Sequence, residues 1–257
     1  MIDKKLLIKE FDKVLGNDER PIVIFSSIWP FLKSLNSPNK ETLDLILDSF
    51  MTSAKNRTVV MPSFTNGYTN GVCNLDKAKS QNGIFSERFR EKYSTTRSRS
   101  AFFSFSASGK DSKQILSLNP RNVWGENSIY EWMELCDARM LMLGTHSTNC
   151  SYLHRLEWLN KEGIIYRENK IFKGYLQINN RLMENQEILF VRKENPEAIN
   201  DFSHLKKYLI KGGMQSFKIL GVPLFLYDVS LIMDSIMPIF EKDPLNALVN
   251  KKDFIGQ

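Results

Sequence analysis

Two short apolar runs with a helical segment between them place the strongest constraint on the fold of this chain. Pro21 to Phe25 and Arg57 to Met61 have the length and residue types of strands. Between them, Lys40 to Ser53 repeats apolar residues at i, i+3, i+4 and i+7, which predicts a helix. A strand, a crossover helix and a second strand open a parallel sheet, whose ligands bind at the carboxyl ends of the strands. Those ends carry Ser26-Ser27 and Pro62 to Thr65.

Further helices and strands follow from the same periodicities. The segment ending at Gly16, Ile84 to Lys92 and Ser128 to Cys136 have helical patterns, whereas Phe102 to Ala107 and Arg139 to Leu143 have strand patterns. We therefore expect an α/β protein with a mixed, largely parallel central sheet flanked by helices.

The second half of the chain predicts a smaller β-rich subdomain, inserted or appended. Two β-like segments between Ile164 and Val191 flank Asn179-Asn180, a pair that favours a hairpin turn. Beyond it, Phe202 to Lys211 and Val229 to Phe240 have helical patterns around an apolar segment, Ile219 to Tyr227. We expect one domain, 1–257, made of an α/β core at 1–160, the β-rich subdomain at 161–200 and a helical C-terminal part at 201–257.

The composition excludes several classes of protein. Of the 257 residues, 42% are hydrophobic and 25% are charged, as in compact folded proteins and unlike disordered, collagen-like or membrane chains. Cys73, Cys136 and Cys150 are widely spaced and form no CxxC pair, so we expect no disulfide framework, no metal and a reducing compartment. The longest apolar run is shorter than the roughly 20 residues of a membrane span, and the N-terminus lacks a signal-peptide pattern. We expect a cytoplasmic protein with no membrane partner.

A surplus of basic residues favours anionic partners. The net charge is +6 and the isoelectric point is about 9.1. Part of this surplus is a cluster of basic residues beside the hydroxyl residues 94–96. The basic side chains either contact phosphates or form a solvated helix face. The cluster consists of Arg88, Arg90, Lys92, Arg97 and Arg99. Aromatic residues do not alternate with the cluster as platforms for bases, so we expect no nucleic acid partner.

Two residues near the middle of the chain have the spacing of a catalytic pair. His154 and Glu157 are at i and i+3, so on a helix they share a face and the carboxylate can orient the imidazole as a general base. An exposed helical pair without a role has the same spacing, and spacing alone leaves both interpretations open. His204, beside Phe202 and Leu205, is predicted to be structural.

The familiar motifs of other enzyme classes are absent from the sequence. GxSxG, Walker A, GxGxxG and HExxH do not occur, which argues against serine hydrolases, P-loop enzymes, dinucleotide enzymes and zinc proteases. Cys150 is disfavoured as a nucleophile, because its spacing from His154 does not direct that base toward the sulfur.

Several short motifs follow one another between Pro21 and Trp158. They are Phe25 to Ile28 (FSSI), Thr58 to Thr65 (TVVMPSFT), Gly83 to Arg90 (GIFSERFR), Arg97 to Gly109 (RSRSAFFSFSASG), Gly125 to Ser128 (GENS), Leu143-Gly144 and Asn149 to Glu157 (NCSYLHRLE). Taken in this order, they resemble motifs of the aminoglycoside 3-N-acetyltransferase family, whose members use acetyl-CoA to acetylate an amine of an amino sugar.

The resemblance implies a mixed α/β fold, acetyl-CoA as co-substrate and a defined set of site residues. By this resemblance His154 and Glu157 form the catalytic dyad, and the Ser151 hydroxyl helps to stabilise an oxyanion. The implied CoA-binding residues are Ser26, Ser27, Arg97, Ser98 and Ser104, the arginine being suited to phosphate.

The chain departs from the family pattern at three places. Phe25 stands where the family has the histidine of HSSL, Ser100-Ala101 stand where it has His-Pro, and Ser151 stands where it has threonine. Ser151 keeps a hydroxyl group, so this change is mild. The two lost histidines indicate either a different substrate or a loss of activity, and the retained dyad favours activity.

The charge of the chain bears on the identity of the acceptor. An enzyme for polycationic aminoglycosides would present an acidic cleft, whereas an anionic nucleotide-linked amino sugar suits a basic chain. We therefore predict N-acetylation of a nucleotide-linked amino sugar for surface polysaccharide biosynthesis. The alternatives are an aminoglycoside acetyltransferase and a divergent binding protein without catalysis. The sequence leaves the oligomeric state open, a homodimer included.

Overall fold

A computed structural model describes residues 3–254 of the protein, and the α-helices in this span lie on both faces of a central sheet. Their bounds are α1 Lys4–Leu15, α2 Trp29–Ser34, α3 Lys40–Ser53, α4 Ile84–Lys92, α5 Ser112–Ser117, α6 Ile129–Leu135, α7 Tyr152–Leu159, α8 Lys206–Gly212 and α9 Val229–Lys242. Local signals fix several ends. Asn39, for example, caps α3 by accepting a hydrogen bond of 2.8 Å from the backbone N–H of Thr42.

The strands of the same span form two sheets. Their bounds are β1 Ile22–Ser26, β2 Val59–Pro62, β3 Val72–Asn74, β4 Thr96–Arg97, β5 Phe105–Ser108, β6 Arg139–Leu143, β7 Arg167–Ile178, β8 Arg181–Arg192, β9 Gln215–Ile219 and β10 Val222–Asp228. The central sheet has 7 strands in the order β4-β5-β2-β1-β6-β10-β9, and a smaller sheet has 3 strands in the order β3-β7-β8.

The mixed α/β class predicted from the sequence is confirmed, with fewer parallel pairs than predicted. β1 pairs in parallel with both β2 and β6, whereas β5, β4, β10 and β9 add antiparallel pairs on the two sides. The parallel part is therefore confined to the three central strands. Their carboxyl ends meet at one edge of the sheet, as the sequence predicted for the residues after β1 and β2.

Burial on both faces explains why the central strands are almost continuously apolar. Val23 and Phe25 of β1 pack into one hydrophobic core, while Ile22 and Ile24 pack into a second core on the opposite face. All four side chains are at most 6% exposed. A strand covered by helices on both sides has no solvent face on which polar residues would alternate.

The smaller sheet matches the predicted β-rich segment. β7 and β8 pair in antiparallel register along 12 residues each, and β3 adds to the edge of β7 in parallel. Asn179 and Asn180 form the turn with positive φ angles of 50° and 58°, a conformation that asparagine tolerates and that two-residue hairpins require.

The prediction of a helical part at 201–257 was incomplete. α8 and α9 are present, but the apolar segment Ile219 to Tyr227 belongs to a hairpin of β9 and β10 that pairs with β6 of the central sheet. Val222, Leu224 and Leu226 alternate on one buried face, which is a strand period. The sequence did not identify these strands, because a short apolar run between two helical patterns fits a strand and a buried helix equally well.

Within residues 3–254, no helix is long and apolar enough to cross a membrane. The same described span contains no group of three or more His, Cys, Asp or Glu side chains arranged to hold a metal ion.

Candidate active site

A large cavity opens at the carboxyl ends of the central strands. Its volume is about 1200 Å3, and it is bordered by β1, the segment after β2, the segment before α7 and the chain that follows β8. Lining residues on the core side include Phe25, Ser26, Phe64, Phe103, Trp124, Ser151 and His154. Those contributed by the β7–β8 hairpin and the segment after it include Arg167, Phe190, Arg192, Lys193, Glu194, Glu197, Asn200 and Phe202.

His154 and Glu157 form the predicted pair on α7. The imidazole Nδ1 lies 2.6 Å from Glu157 Oε2, as expected for two residues one helical turn apart. The side chain of His154 is 29% exposed and lines the cavity, whereas that of Glu157 is completely buried behind it. When Nδ1–H donates to the carboxylate, the neutral ring keeps an unprotonated Nε2, the atom that a general base needs.

Glu157 accepts further contacts from outside α7. Tyr166 donates its hydroxyl to Oε1 at 2.6 Å, and the Asn200 amide donates to the same oxygen at 3.1 Å. Burial by itself would raise the pKa of Glu157, but the charge and hydrogen bond of His154 and the charge of Arg167 outweigh it. The pKa of Glu157 is therefore held below its ordinary value, and the group remains a carboxylate.

Arg167, at the start of β7, is a site residue that the sequence analysis missed. Its Nε lies 3.0 Å from Glu157 Oε2 and its Nη2 lies 3.1 Å from His154 Nδ1. The guanidinium also donates to the carbonyl of Phe190 at 2.9 Å and to the side chain of Asn200 at 3.2 Å. No local sequence signal identifies Arg167, because the hairpin fold alone brings it to the dyad.

Two aromatic rings hold the imidazole from its sides. Trp124 and Phe202 contact His154 edge to face, with ring centroids 5.6 Å and 5.4 Å away. These contacts restrict rotation of the imidazole, so its orientation depends on packing as well as on the carboxylate.

Ser151, the predicted oxyanion donor, also lines the cavity. It is the residue before α7, and its Oγ accepts a hydrogen bond of 2.9 Å from the hydroxyl of Tyr130. Ser151 and His154 are therefore brought together at one wall by the first turn of the helix.

Cys150 is buried, and its surroundings do not favour a thiolate. Burial raises the pKa of its thiol to about 11, and its Sγ lies 4.0 Å from the hydroxyl of Tyr227. The sulfur is therefore a weak nucleophile, in agreement with the sequence argument against it.

The predicted CoA-binding residues do not lie together. Ser26 lines the cavity, and its Oγ has no hydrogen-bond partner among the described residues. Ser27 follows it and holds the end of β1 to β6 by donating its backbone N–H to Leu143 at 2.9 Å. Ser98 and Ser104 are buried away from the cavity lining. Their hydroxyl oxygens accept hydrogen bonds from the Phe105 N–H and the Arg97 Nε.

Arg97 is buried, and its guanidinium is occupied by the protein itself. It donates to the carbonyls of Leu75 at 2.9 Å and Ala78 at 2.6 Å, to the carbonyl of Ser63 and to the hydroxyl of Ser104. Burial lowers the pKa of Arg97 to about 10. The prediction that this side chain contacts CoA phosphates does not fit this geometry, because the guanidinium is buried and four of its five N–H donors already have protein acceptors.

Most of the predicted basic cluster forms ion pairs. Arg88 pairs with Asp44 at 2.6 Å, Arg90 with Glu87 at 2.7 Å and Lys92 with Asp48 at 2.5 Å. These residues form the helix face that the sequence analysis gave as the alternative to a phosphate site.

Phe25 and Ser100, which stand where the family motifs have histidine, make different contacts. Phe25 lines the cavity and packs edge to face on Phe105, with centroids 6.3 Å apart. Ser100 is buried and donates its hydroxyl to Glu187 at 2.8 Å. The cavity wall at Phe25 is therefore more apolar than the motif pattern of the family implies.

Comparison with known proteins agrees with this fold. The sequence model of the family described as aminoglycoside 3-N-acetyltransferase matches residues 33–241. A search of curated proteins found no match. Among solved structures, the YokD protein from Bacillus subtilis has a TM-score of 0.73 at 17% identity, with 95% of each chain covered.

Two further structures show the same fold. The structure of AAC-IIIb as a binary complex with CoASH has a TM-score of 0.74 at 16% identity, covering 94% of this chain and 97% of that one. The structure of AAC-VIa bound to sisomicin has a TM-score of 0.74 at 14% identity, with coverages of 94% and 98%. Because the family match extends over most of the sequence, the chain belongs to the aminoglycoside 3-N-acetyltransferase family.

Proposed function

We propose that the protein transfers the acetyl group of acetyl-CoA to an amine of an amino sugar, most specifically a nucleotide-linked amino sugar used in surface polysaccharide synthesis. The observation that carries this proposal is the 2.6 Å contact between His154 Nδ1 and Glu157 Oε2 at the wall of the cavity. Membership of the family supports the reaction type.

His154 acts as the general base in this proposal. Its Nε2 accepts a proton from the acceptor ammonium, and the freed amine nitrogen forms a bond to the acetyl carbonyl carbon. The C–S bond of the thioester breaks, the CoA sulfur leaves with the proton that His154 returns, and the new amide nitrogen releases its extra proton to solvent. Glu157, held by Tyr166 and Asn200, keeps the imidazole oriented throughout. Direct transfer of this kind needs no covalent acyl-enzyme.

Acetyl-CoA as co-substrate is supported by the neighbouring structure that contains CoASH. Of the CoA-site residues predicted from the resemblance, we retain Ser26 and Ser27 at the end of β1, since Ser26 lines the cavity. The cavity volume of about 1200 Å3 exceeds the roughly 300–1,000 Å3 of pockets that bury one drug-sized molecule.

The choice of a nucleotide-linked acceptor follows from the charges around the cavity. Arg167 is paired with Glu157, so the remaining charged lining on the hairpin side is Arg192 and Lys193 against Glu194 and Glu197. A polycation would be held by a surplus of carboxylates, which this lining lacks, whereas Arg192 and Lys193 can pair with the phosphates of a sugar nucleotide. Phe64, Phe103 and Trp124 add ring faces on which a sugar or a base can pack. The predicted cytoplasmic location accompanies this proposal and stays a prediction.

A survey of acceptors tests the proposal. The native protein and His154→Ala would be assayed with acetyl-CoA and three sets of amines: nucleotide-linked amino sugars, free amino sugars and aminoglycosides. We expect turnover of a nucleotide-linked amino sugar by the native protein and a loss of about 10³-fold in His154→Ala. Turnover of aminoglycosides alone would contradict the proposed acceptor. Binding of CoA without turnover of any amine would favour the non-catalytic alternative.

A further inference from the structure

A completely buried tyrosine contacts the serine hydroxyl beside the dyad. Tyr130 lies on α6, is 0% exposed and has its hydroxyl 2.9 Å from Ser151 Oγ. We propose that Tyr130 is a positioning residue that orients the Ser151 hydroxyl toward the reacting carbonyl. This inference rests on the function proposed above.

The surroundings of Tyr130 determine the direction of this hydrogen bond. Its ring packs against Phe105 at 5.7 Å, Trp124 at 4.7 Å and Tyr152 at 6.4 Å between centroids. Among the described residues its hydroxyl has no hydrogen-bond partner except Ser151. A buried donor requires an acceptor, and a phenol is a better donor than an alcohol, so the tyrosine donates and the serine accepts. Burial raises the pKa of Tyr130, which keeps its proton in place.

The direction of the bond leaves the Ser151 proton available. Because Oγ accepts from Tyr130, its own O–H points elsewhere, and Ser151 lines the cavity. A donor fixed there stabilises the negative charge that develops on the acetyl oxygen. A serine hydroxyl without such a partner rotates freely and also bonds to nearby backbone carbonyls.

One aromatic side chain links the oxyanion donor to the base. Trp124 packs on Tyr130 at 4.7 Å and on His154 at 5.6 Å between ring centroids. The positions of Ser151 and His154 are thus fixed relative to each other by packing behind the cavity wall as well as by α7.

The first test removes only the tyrosine hydroxyl. Tyr130→Phe keeps the ring contacts, and we expect kcat with acetyl-CoA and the best acceptor of the survey to fall about tenfold, less than loss of an oxyanion donor itself. KM for both substrates should change by less than about twofold, because the bond acts on the transition state. Tyr152→Phe is the matched control. Tyr152 is also buried, but its hydroxyl donates to Glu134 and does not line the cavity, so kcat should be unchanged.

The second test asks whether Tyr130 acts through Ser151. Ser151→Ala alone should lower kcat about 100-fold, and adding Tyr130→Phe to it should cause no further loss. Ser151→Thr keeps a hydroxyl and should keep most of the activity. If Tyr130→Phe causes the same tenfold loss in the native protein and in the Ser151→Ala variant, the inference is overturned, because a structural defect would act in both. Full activity of Ser151→Ala would overturn it too, while leaving the proposed function, which His154→Ala tests, unaffected.

Discussion

Arg167 Nε lies 3.0 Å from Glu157 Oε2, so a residue of the small sheet contacts the carboxylate that is hydrogen-bonded to the imidazole of His154. Glu157 is on α7 of the main core, whereas Arg167 begins β7. The side chains of both are at most 7% exposed. The hairpin therefore contributes to the candidate active site as well as to a wall of the cavity.

Removing Arg167 should damage both stability and activity. Arg167→Met leaves the buried Glu157 without this cation, which costs about 3–5 kcal/mol of unfolding free energy when a buried pair is broken. We also expect kcat to fall, because the Glu157 carboxylate is then less ordered and orients the His154 imidazole less well. Urea unfolding and steady-state kinetics measure the two effects. Arg181→Met, an exposed arginine on the same hairpin, is the control and should be nearly neutral. Equal stability of the two variants would contradict the structure.

The lowered pKa of Glu157 predicts a stability change with a definite sign. A carboxyl whose folded pKa is below its ordinary value of 4.5 adds stability above that pH, and this stability is lost as the pH falls through the folded pKa. The native protein should therefore exceed Glu157→Gln in unfolding free energy at pH 7. The difference should shrink as the pH falls below about 5. Urea titrations from pH 7 to pH 4 measure this difference, and one that grows toward low pH would show that the pKa is raised instead.

The pH dependence of stability due to Glu187 should have the opposite sign to that of Glu157. Its side chain accepts hydrogen bonds from Ser100, Tyr68, Asn185 and the Ala101 N–H, but burial outweighs these bonds and raises its pKa. A raised folded pKa gives stability that is present below the ordinary value of 4.5 and lost as the pH rises through the folded value.

Glu187→Gln should therefore become more stable relative to the native protein as the pH rises from 5 to 8. Unfolding titrations at the two pH values check this. Glu184→Gln, an exposed position of the same strand, is the control. A Glu187→Gln variant that loses stability relative to the native protein between pH 5 and pH 8 would contradict the sign.

Arg97 should prove structural. Arg97→Lys removes donors from several buried carbonyls, so we expect a loss of about 3 kcal/mol in unfolding free energy. Calorimetric titration of the folded variant with CoA should give an affinity within about twofold of the native value, because four protein acceptors already occupy this guanidinium. A stable variant with a strongly weakened CoA affinity would restore the phosphate role that the sequence suggested.

The sequence predicted best where the signals are local. Lys40 to Ser53, Ile84 to Lys92 and Arg139 to Leu143 have in the structure the bounds read from periodicity. Asn39 caps the first of these, and full burial makes the last a continuous apolar strand. The predicted strand Phe102 to Ala107 begins only at Phe105, although the carbonyls of Phe102 and Ser104 still accept backbone hydrogen bonds from Thr65 and Ser63.

Only the candidate site residues on α7 and at its N-cap were predictable from the sequence. Ser151 is the N-cap of α7, and His154 and Glu157 lie in its first two turns, so spacing and resemblance were enough. Tyr166, Arg167 and Asn200 reach Glu157 from other segments. No periodicity encodes such contacts, because they depend on how the hairpin packs on the core.

The rate of acetyl transfer by His154→Ala, measured alongside its affinity for CoA, decides whether His154 is the general base. We predict a loss of about 10³-fold in kcat, the share that a positioned general base contributes, with CoA affinity changed by less than about twofold. A variant that transfers acetyl groups at nearly the native rate would contradict the assignment of His154, oriented by Glu157, as the base.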